Sequence, residues 1–277
     1  MADRKPNLKL SLSTVLLLVI FVILALHSQA SFAADVAPTA TPIPASRGNI
    51  IKATEGLYYY YQGLVFYYRG ELDKALTAYT QVINLDPDHA PAYVARGLVL
   101  ARQKKFDAAI ADFTQAIKIN PRDTNPYYDR GLIFYYQGKL DEAIDDYTRV
   151  ISLNPRNTRA YSGRGIALAD QGKLDEAIAD LTQAISLNPR DANVYYNRSA
   201  VLFKQDKLDE AAADLLQTIK LVPDYTNAYW GLGNIYYSQK YYANALVNYK
   251  HYLLLAGDKA NPSIVKLVHY LENTPHV

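Results

Sequence analysis

Along residues 140–153 the apolar positions are Leu140, Ala143, Ile144, Tyr147, Val150, Ile151 and Leu153, the spacing of one face of an α-helix. Upstream, Tyr127, Tyr128, Gly131, Leu132, Phe134 and Tyr135 mark a second helical face. Gln137-Gly138-Lys139 separates the two, and Gly138 is free to take the left-handed backbone of a tight turn. Asp141 and Glu142 fall in the first turn of the second helix, where negative charge suits the helix dipole. Asn154-Pro155 ends that helix, because a residue before proline avoids the helical region. The pattern predicts helix, tight turn, helix, tight turn.

The same pattern returns every 34 residues. Pro87, Pro121, Pro155, Pro189 and Pro223 keep that step, as do Ala75, Ala109, Ala143, Ala177, Ala211 and Ala245. Tyr59, Tyr93, Tyr127, Tyr161, Tyr195 and Tyr229 form a third row. Gly63, Gly97, Gly131, Gly165 and Gly233 form a fourth, broken by Ser199, and Ile83, Ile117, Ile151, Ile185 and Ile219 a fifth, ending in Leu253. The Gly and Ala rows read as places where two helices cross too closely for a larger side chain. One such unit cannot bury its own apolar face, so stability comes from stacking neighbours.

In residues 90–123 the marks are Tyr93, Gly97, Leu100, Ala109, Phe113, Ala116 and Pro121. This pattern resembles the tetratricopeptide repeat. The resemblance implies an all-α fold, a right-handed α-solenoid of helix-turn-helix units spanning 56–89, 90–123, 124–157, 158–191, 192–225 and 226–259. Local departures are Ser199 for Gly, Thr218 and Tyr252 at the late small position, and Ala256 where proline is expected. Residues 260–277 read as a capping helix and tail. Asn261-Pro262 starts that helix, and Ile264, Leu267, Val268 and Leu271 form its apolar stripe.

Two charged rows track each other. Arg96, Arg130, Arg164 and Arg198 lie on first helices, and Asp112, Asp146, Asp180 and Asp214 lie sixteen residues later on second helices. The first and last units lack both, having Gln62 with Ala78 and Leu232 with Asn248. Matching presence and absence point to a structural Arg–Asp pair within each unit. The alternative is an arginine ladder for phosphate or acidic ligands.

In the family, first helices line a concave groove that binds extended peptides or helices, and the resemblance implies the same here. By register the inward rows are Tyr60, Val94, Tyr128, Ser162, Tyr196, Trp230 and Tyr67, Ala101, Tyr135, Ala169, Phe203, Tyr237, extended by Tyr68 and Tyr136. Asn234 lies on the same face. Tyrosine offers large contact area and one polar handle, which suits a binding surface; the same rings can equally serve inter-repeat packing. The clamp of Lys, Arg and Asn with which some relatives hold acidic C-termini has no basic match beside Asn197 and Asn234.

Ahead of the repeats, Arg4, Lys5 and Lys9 precede an unbroken apolar run from Val15 to Leu26 and a small-residue stretch ending Ser31-Phe32-Ala33. Residues 1–33 therefore read either as a signal peptide cut after Ala33 or as a retained membrane anchor. Residues 34–48 read as a proline-rich linker, and 49–259 as the repeat body. The basic leader accounts for the net charge of +2, so the body has no field to draw it to nucleic acid. There is no cysteine, and His27, His89, His251, His269 and His276 are scattered without ligand spacing. Gly163-Arg-Gly165 and Gly231-Leu-Gly233 lack the third glycine and the strand of a dinucleotide motif. No catalytic residue, metal site or cofactor is expected. The expectation is an exported or membrane-anchored scaffold that binds protein or peptide partners of the cell envelope through its tyrosine-rich groove. The alternative is a groove for a glycan or cell-wall fragment.

Overall fold

The computed structural model describes residues 45–273, with side chains from Lys52 onward. The expected leader, most of the linker and the last four residues lie outside that range. Thirteen α-helices occupy the described residues. They are α1 (Ala45–Tyr68), α2 (Leu72–Leu85), α3 (Ala90–Arg102), α4 (Phe106–Ile119), α5 (Thr124–Tyr136), α6 (Leu140–Leu153) and α7 (Thr158–Asp170). There follow α8 (Leu174–Leu187), α9 (Ala192–Lys204), α10 (Leu208–Leu221), α11 (Thr226–Ser238), α12 (Tyr242–Ala256) and α13 (Pro262–Asn273). The first twelve are helix-turn-helix pairs, and helices adjacent in sequence pack together within each of two compact units, divided between Ile133 and Phe134. This is the all-α, sequentially packed order of a repeat solenoid with a C-terminal helix. Helix α1 starts at Ala45, inside the stretch expected as linker; the prolines of that stretch end at Pro44, and nothing after it forbids a helix.

Each pair turns through one left-handed residue: Gly70, Lys104, Gly138, Gly172, Asp206 and Lys240, with φ between 60° and 83°. The amide of the next residue closes the turn on a carbonyl five back, as in Glu71 to Phe66, Lys105 to Leu100 and Tyr241 to Tyr236. This satisfies carbonyls that a helix end leaves open. The second helices end where a residue before proline is forced to extended backbone; Asn154 has φ −139° and ψ 88°.

The glycine row sets how near the paired helices come. A Cβ on Gly63 would lie 2.6 Å from the Tyr79 ring, on Gly97 2.8 Å from Phe113, and on Gly233 2.5 Å from Tyr249. Tyr79, Phe113 and Tyr249 are among the largest fully buried side chains. Each ring thus fills the groove left by a missing side chain sixteen residues before it. The departures carry their own polar solutions. Ser199 is buried and its hydroxyl donates to the Tyr196 carbonyl. Thr218 is fully buried and donates to the Asp214 carbonyl. Tyr252 is buried against Ala245, Ile264 and Val268, and its hydroxyl accepts from the Asn261 amide, tying down the approach to α13. With Ala256 in place of proline, α12 runs to Ala256 before Gly257 turns the chain at φ 53°. Asn261 Oδ1 then accepts from the Ser263 amide as α13 begins, and Ile264, Val268 and Leu271 bury its apolar stripe.

Gly97→Ala pushes a methyl into Phe113 and should cost about 1–3 kcal/mol, read as a lower denaturant midpoint with the helical spectrum retained. Lys104→Gly relieves a left-handed non-glycine residue and should raise stability by about 0.5–1 kcal/mol, whereas Lys104→Ala should not.

Candidate partner-binding surface

The charged rows are structural in geometry. Arg96 donates from Nε and Nη2 to both carboxylate oxygens of Asp112, each at 2.8 Å. Arg164 does the same to Asp180 at 2.7 and 2.8 Å, and Arg198 to Asp214 at 2.7 Å twice. The aspartates are buried and the arginines partly so. The carboxylate bond raises each guanidinium pKa above its ordinary value, against the opposing effect of burial. These pairs lie within a repeat. Asp146 is likewise buried on α6; Arg130 lies on the other side of the unit division and donates to Thr114 Oγ1 at 2.9 Å.

That threonine contact recurs and was missed in the sequence. Nη1 of Arg96, Arg164 and Arg198 reaches Thr80, Thr148 and Thr182 on the preceding second helix, at 3.3, 3.0 and 3.0 Å. Each guanidinium also lies over the ring three residues earlier, as Arg164 does over Tyr161 at 5.9 Å. The arginines therefore staple one repeat to the one before it, and these N–H groups point at protein rather than at a ligand. The signal was legible: the Thr row stops at Leu216, one unit before the Arg row stops at Leu232. A second ladder was also missed. Gln103, Gln171, Gln205 and Gln239 donate from Nε2 to Asp73, Asp141, Asp175 and Asp209, thirty residues earlier, at 2.6–2.8 Å. The acidic first turns of α2, α6, α8 and α10 thus receive the end of the next first helix as well as complementing their own dipoles.

The inward tyrosine rows split into two sets. Tyr60 is partly buried against Tyr79, ring centroids 5.7 Å apart, and Tyr196 lies on Tyr225 at 5.1 Å. Tyr67 is partly buried under the Arg102 guanidinium, and Tyr128 is partly buried. Tyr135 donates to Asp170 at 2.8 Å; burial and that bond push its hydroxyl up to about 12. Asn234 Oδ1 accepts from the Tyr249 hydroxyl, so that oxygen serves the core. The open set is Tyr68 at 76 % exposure, Tyr136 at 71 %, Phe203 at 46 %, Trp230 and Tyr237.

Each unit can be taken by itself. In the unit ending at Ile133, Tyr60, Leu64, Tyr67, Tyr68, Val94 and Leu98 line an open cleft of about 260 Å³ along α1 and α3. In the unit from Phe134, Phe203 on α9 and Tyr237 on α11 stand exposed at matching register, and Trp230 stands exposed seven residues before Tyr237. Such surfaces offer ring faces and hydroxyls but no juxtaposed nucleophile and base. No group of three His, Asp or Glu among the described residues has the geometry to hold a metal ion.

The tetratricopeptide repeat profile matches residues 60–124, 128–192 and 164–219, and a further TPR repeat profile matches 200–240. No curated protein matches the chain. Among solved structures, the chain is similar to YrrB, described as a TPR protein with an unusual peptide-binding site. The identity is 24 %, over 66 % of this chain and 95 % of that one, with a TM-score of 0.56. It is similar to the MamA protein at 22 % identity, over 61 % and 92 %, TM-score 0.56. It is also similar to Pseudomonas aeruginosa pilF at 15 %, over 79 % and 99 %, TM-score 0.67. At these identities the likeness is one of fold.

The staple predicts strong coupling. Arg164→Met strands the buried Asp180 carboxylate and should cost about 2–4 kcal/mol, Asp180→Ala about 1–3, and the double variant clearly less than the sum of the two. A double-mutant cycle in urea measures this.

Proposed function

The chain belongs to the tetratricopeptide repeat family, and we propose that its exposed aromatic side chains hold an extended peptide of a partner protein in the cell envelope. Proteins of this family are scaffolds for protein–protein interaction, not enzymes, and they bind protein or peptide partners. The observation that carries the finer reading is the set of open rings on first helices. Phe203, Trp230 and Tyr237 remain solvent-exposed while equivalent rings such as Tyr196 are packed. A large ring costs free energy to leave in water, and aromatic side chains with few rotatable bonds make efficient anchors. The peptide-binding site named for YrrB, on the same fold, agrees with this use of the family's surface.

The envelope location rests on the sequence of residues 1–33, whose basic start, apolar run and small residues fit export. Among the described residues no helix is long and apolar enough to cross a membrane.

The test is a crosslinking pull-down of the full chain from native envelope, beside a Phe203→Ala, Trp230→Ala, Tyr237→Ala variant whose helical spectrum is unchanged. Specific proteins should be captured by the native chain and fall at least tenfold with the variant. Equal capture by both would place binding on another face. No capture by either, with a Trp230 fluorescence change on adding soluble glycans, would replace the protein partner by a carbohydrate.

A further inference from the structure

Tyr79 in the first repeat and Tyr249 in the last stand at the same register, and they differ in one bond. The Tyr249 hydroxyl donates to Asn234 Oδ1 at 2.9 Å, fifteen residues back. At the matching place before Tyr79 stands Leu64, which cannot accept. Among the described residues no other group hydrogen-bonds to the Tyr79 hydroxyl. Burial, with the neighbouring hydroxyls of Tyr60, Tyr67 and Tyr68, holds that phenol protonated well above the usual tyrosine range, so it stays a donor. A buried donor left without an acceptor costs free energy, and native structures rarely keep one idle.

The hydroxyl has an opening. Tyr79 is 1 % exposed, yet it lines the cleft along α1 and α3 beside Leu64. The three hydroxyls that act on it electrostatically belong to residues lining the same cleft, so the polar end of the ring faces that space. The cleft, at about 260 Å³, is smaller than the roughly 300–1,000 Å³ of pockets that enclose whole small molecules, and it is open along one side. It therefore suits a short stretch of a longer chain.

The charge of the cleft narrows the occupant. Among the described lining residues Asp123 carries the one formal charge. Its Oδ1 accepts from the Asn125 amide at 2.9 Å, and no described cation pairs with it. Arg102 lies 5.3 Å from the Tyr67 ring centroid and is not part of the lining. An apolar, ring-lined cleft with one unpaired carboxylate fits a basic side chain, whose aliphatic stem lies along apolar surface while its head reaches the charge.

We propose that this cleft takes an extended peptide segment of a partner protein carrying a lysine or arginine, with the basic head on Asp123 and a backbone carbonyl accepting from the Tyr79 hydroxyl. An extended segment makes no internal backbone hydrogen bonds, so its carbonyls are free for such a donor. The proposal rests on the reading of these surfaces as peptide sites, but it concerns the first unit and not Phe203, Trp230 or Tyr237.

The experiment pans a phage-displayed library of random octapeptides against the full chain in detergent. Enriched peptides should carry lysine or arginine about fivefold more often than the library does. A fluorescent copy of the most enriched peptide is then titrated against variants. Tyr79→Phe should bind it about fivefold more weakly with no loss of stability, because the hydroxyl it lacks had no partner in the protein. Tyr249→Phe should show the opposite, a lower denaturant midpoint with unchanged binding, because Asn234 loses its donor. Leu64→Asn supplies the acceptor found in the last repeat and should weaken binding by a similar factor with the helical spectrum retained. Asp123→Asn keeps an oxygen for the Asn125 amide but removes the charge. It should weaken the basic peptide about fivefold and leave a norleucine-substituted copy unaffected. No enrichment, enrichment without a basic residue, or native-strength binding by Tyr79→Phe or Asp123→Asn would each overturn the proposal. The Phe203→Ala, Trp230→Ala, Tyr237→Ala variant should bind this peptide as the native chain does, so the two readings fail separately.

Discussion

The close crossing of paired helices at the glycine row is the constraint on which the rest of this structure depends. At Gly63, Gly97 and Gly233 there is no room for even a methyl group beside the ring sixteen residues later. That ring is buried because the glycine yields its space, and in that position it can also meet the next repeat. Tyr79 clusters with Ala95 and Val99 of α3 as well as with Tyr60 of its own pair. Burial of one repeat's core is thus completed by its neighbour, which is why nearest-neighbour stacking, not the isolated pair, is the unit of stability.

Polar contacts then set how neighbours meet. Apolar packing is tolerant of small slips, whereas a bidentate guanidinium–carboxylate pair is not. Arg164 ties Asp180 in its own repeat and Thr148 in the repeat before, and Gln171 ties Asp141 across the same junction. The last repeat, with Leu232 and Leu216 at the arginine and threonine positions, lacks the arginine staple and uses packing instead. The last pair buries Leu232, Ile235 and Tyr249 and is closed by α13, where Tyr252 holds the Asn261 amide. The arginine staples begin at the first repeat, and the C-terminal end is capped by a helix instead.

The aromatic residues illustrate how one residue type serves two purposes on the same helix. Tyr196 and Phe203 are seven residues apart on α9, yet one lies on Tyr225 and the other faces solvent. Tyr135 and Tyr136 are adjacent; one is engaged with Asp170 and the other is open. Fewer rings are therefore open to solvent than the tyrosine rows suggest.

Much of this was legible in the residues, because a 34-residue period ties each local cue to five others. The helix pairs, their turns, the close crossings and the capping stripe of Ile264, Val268 and Leu271 follow from hydrophobic spacing, glycine and proline, which act over a few residues. The arginine and aspartate rows could be matched by shared presence and absence. What the residues left open was the fate of each polar or aromatic group at a junction. Threonine at 148 and glutamine at 171 look like ordinary surface residues until the neighbouring helix brings a guanidinium or a carboxylate within 3.0 Å. Which tyrosine is packed and which is open was likewise undecided by register alone. Sequence spacing determines the face on which a side chain stands; whether a neighbour covers that face depends on the tilt and distance of the next helix, which only the tertiary structure supplies.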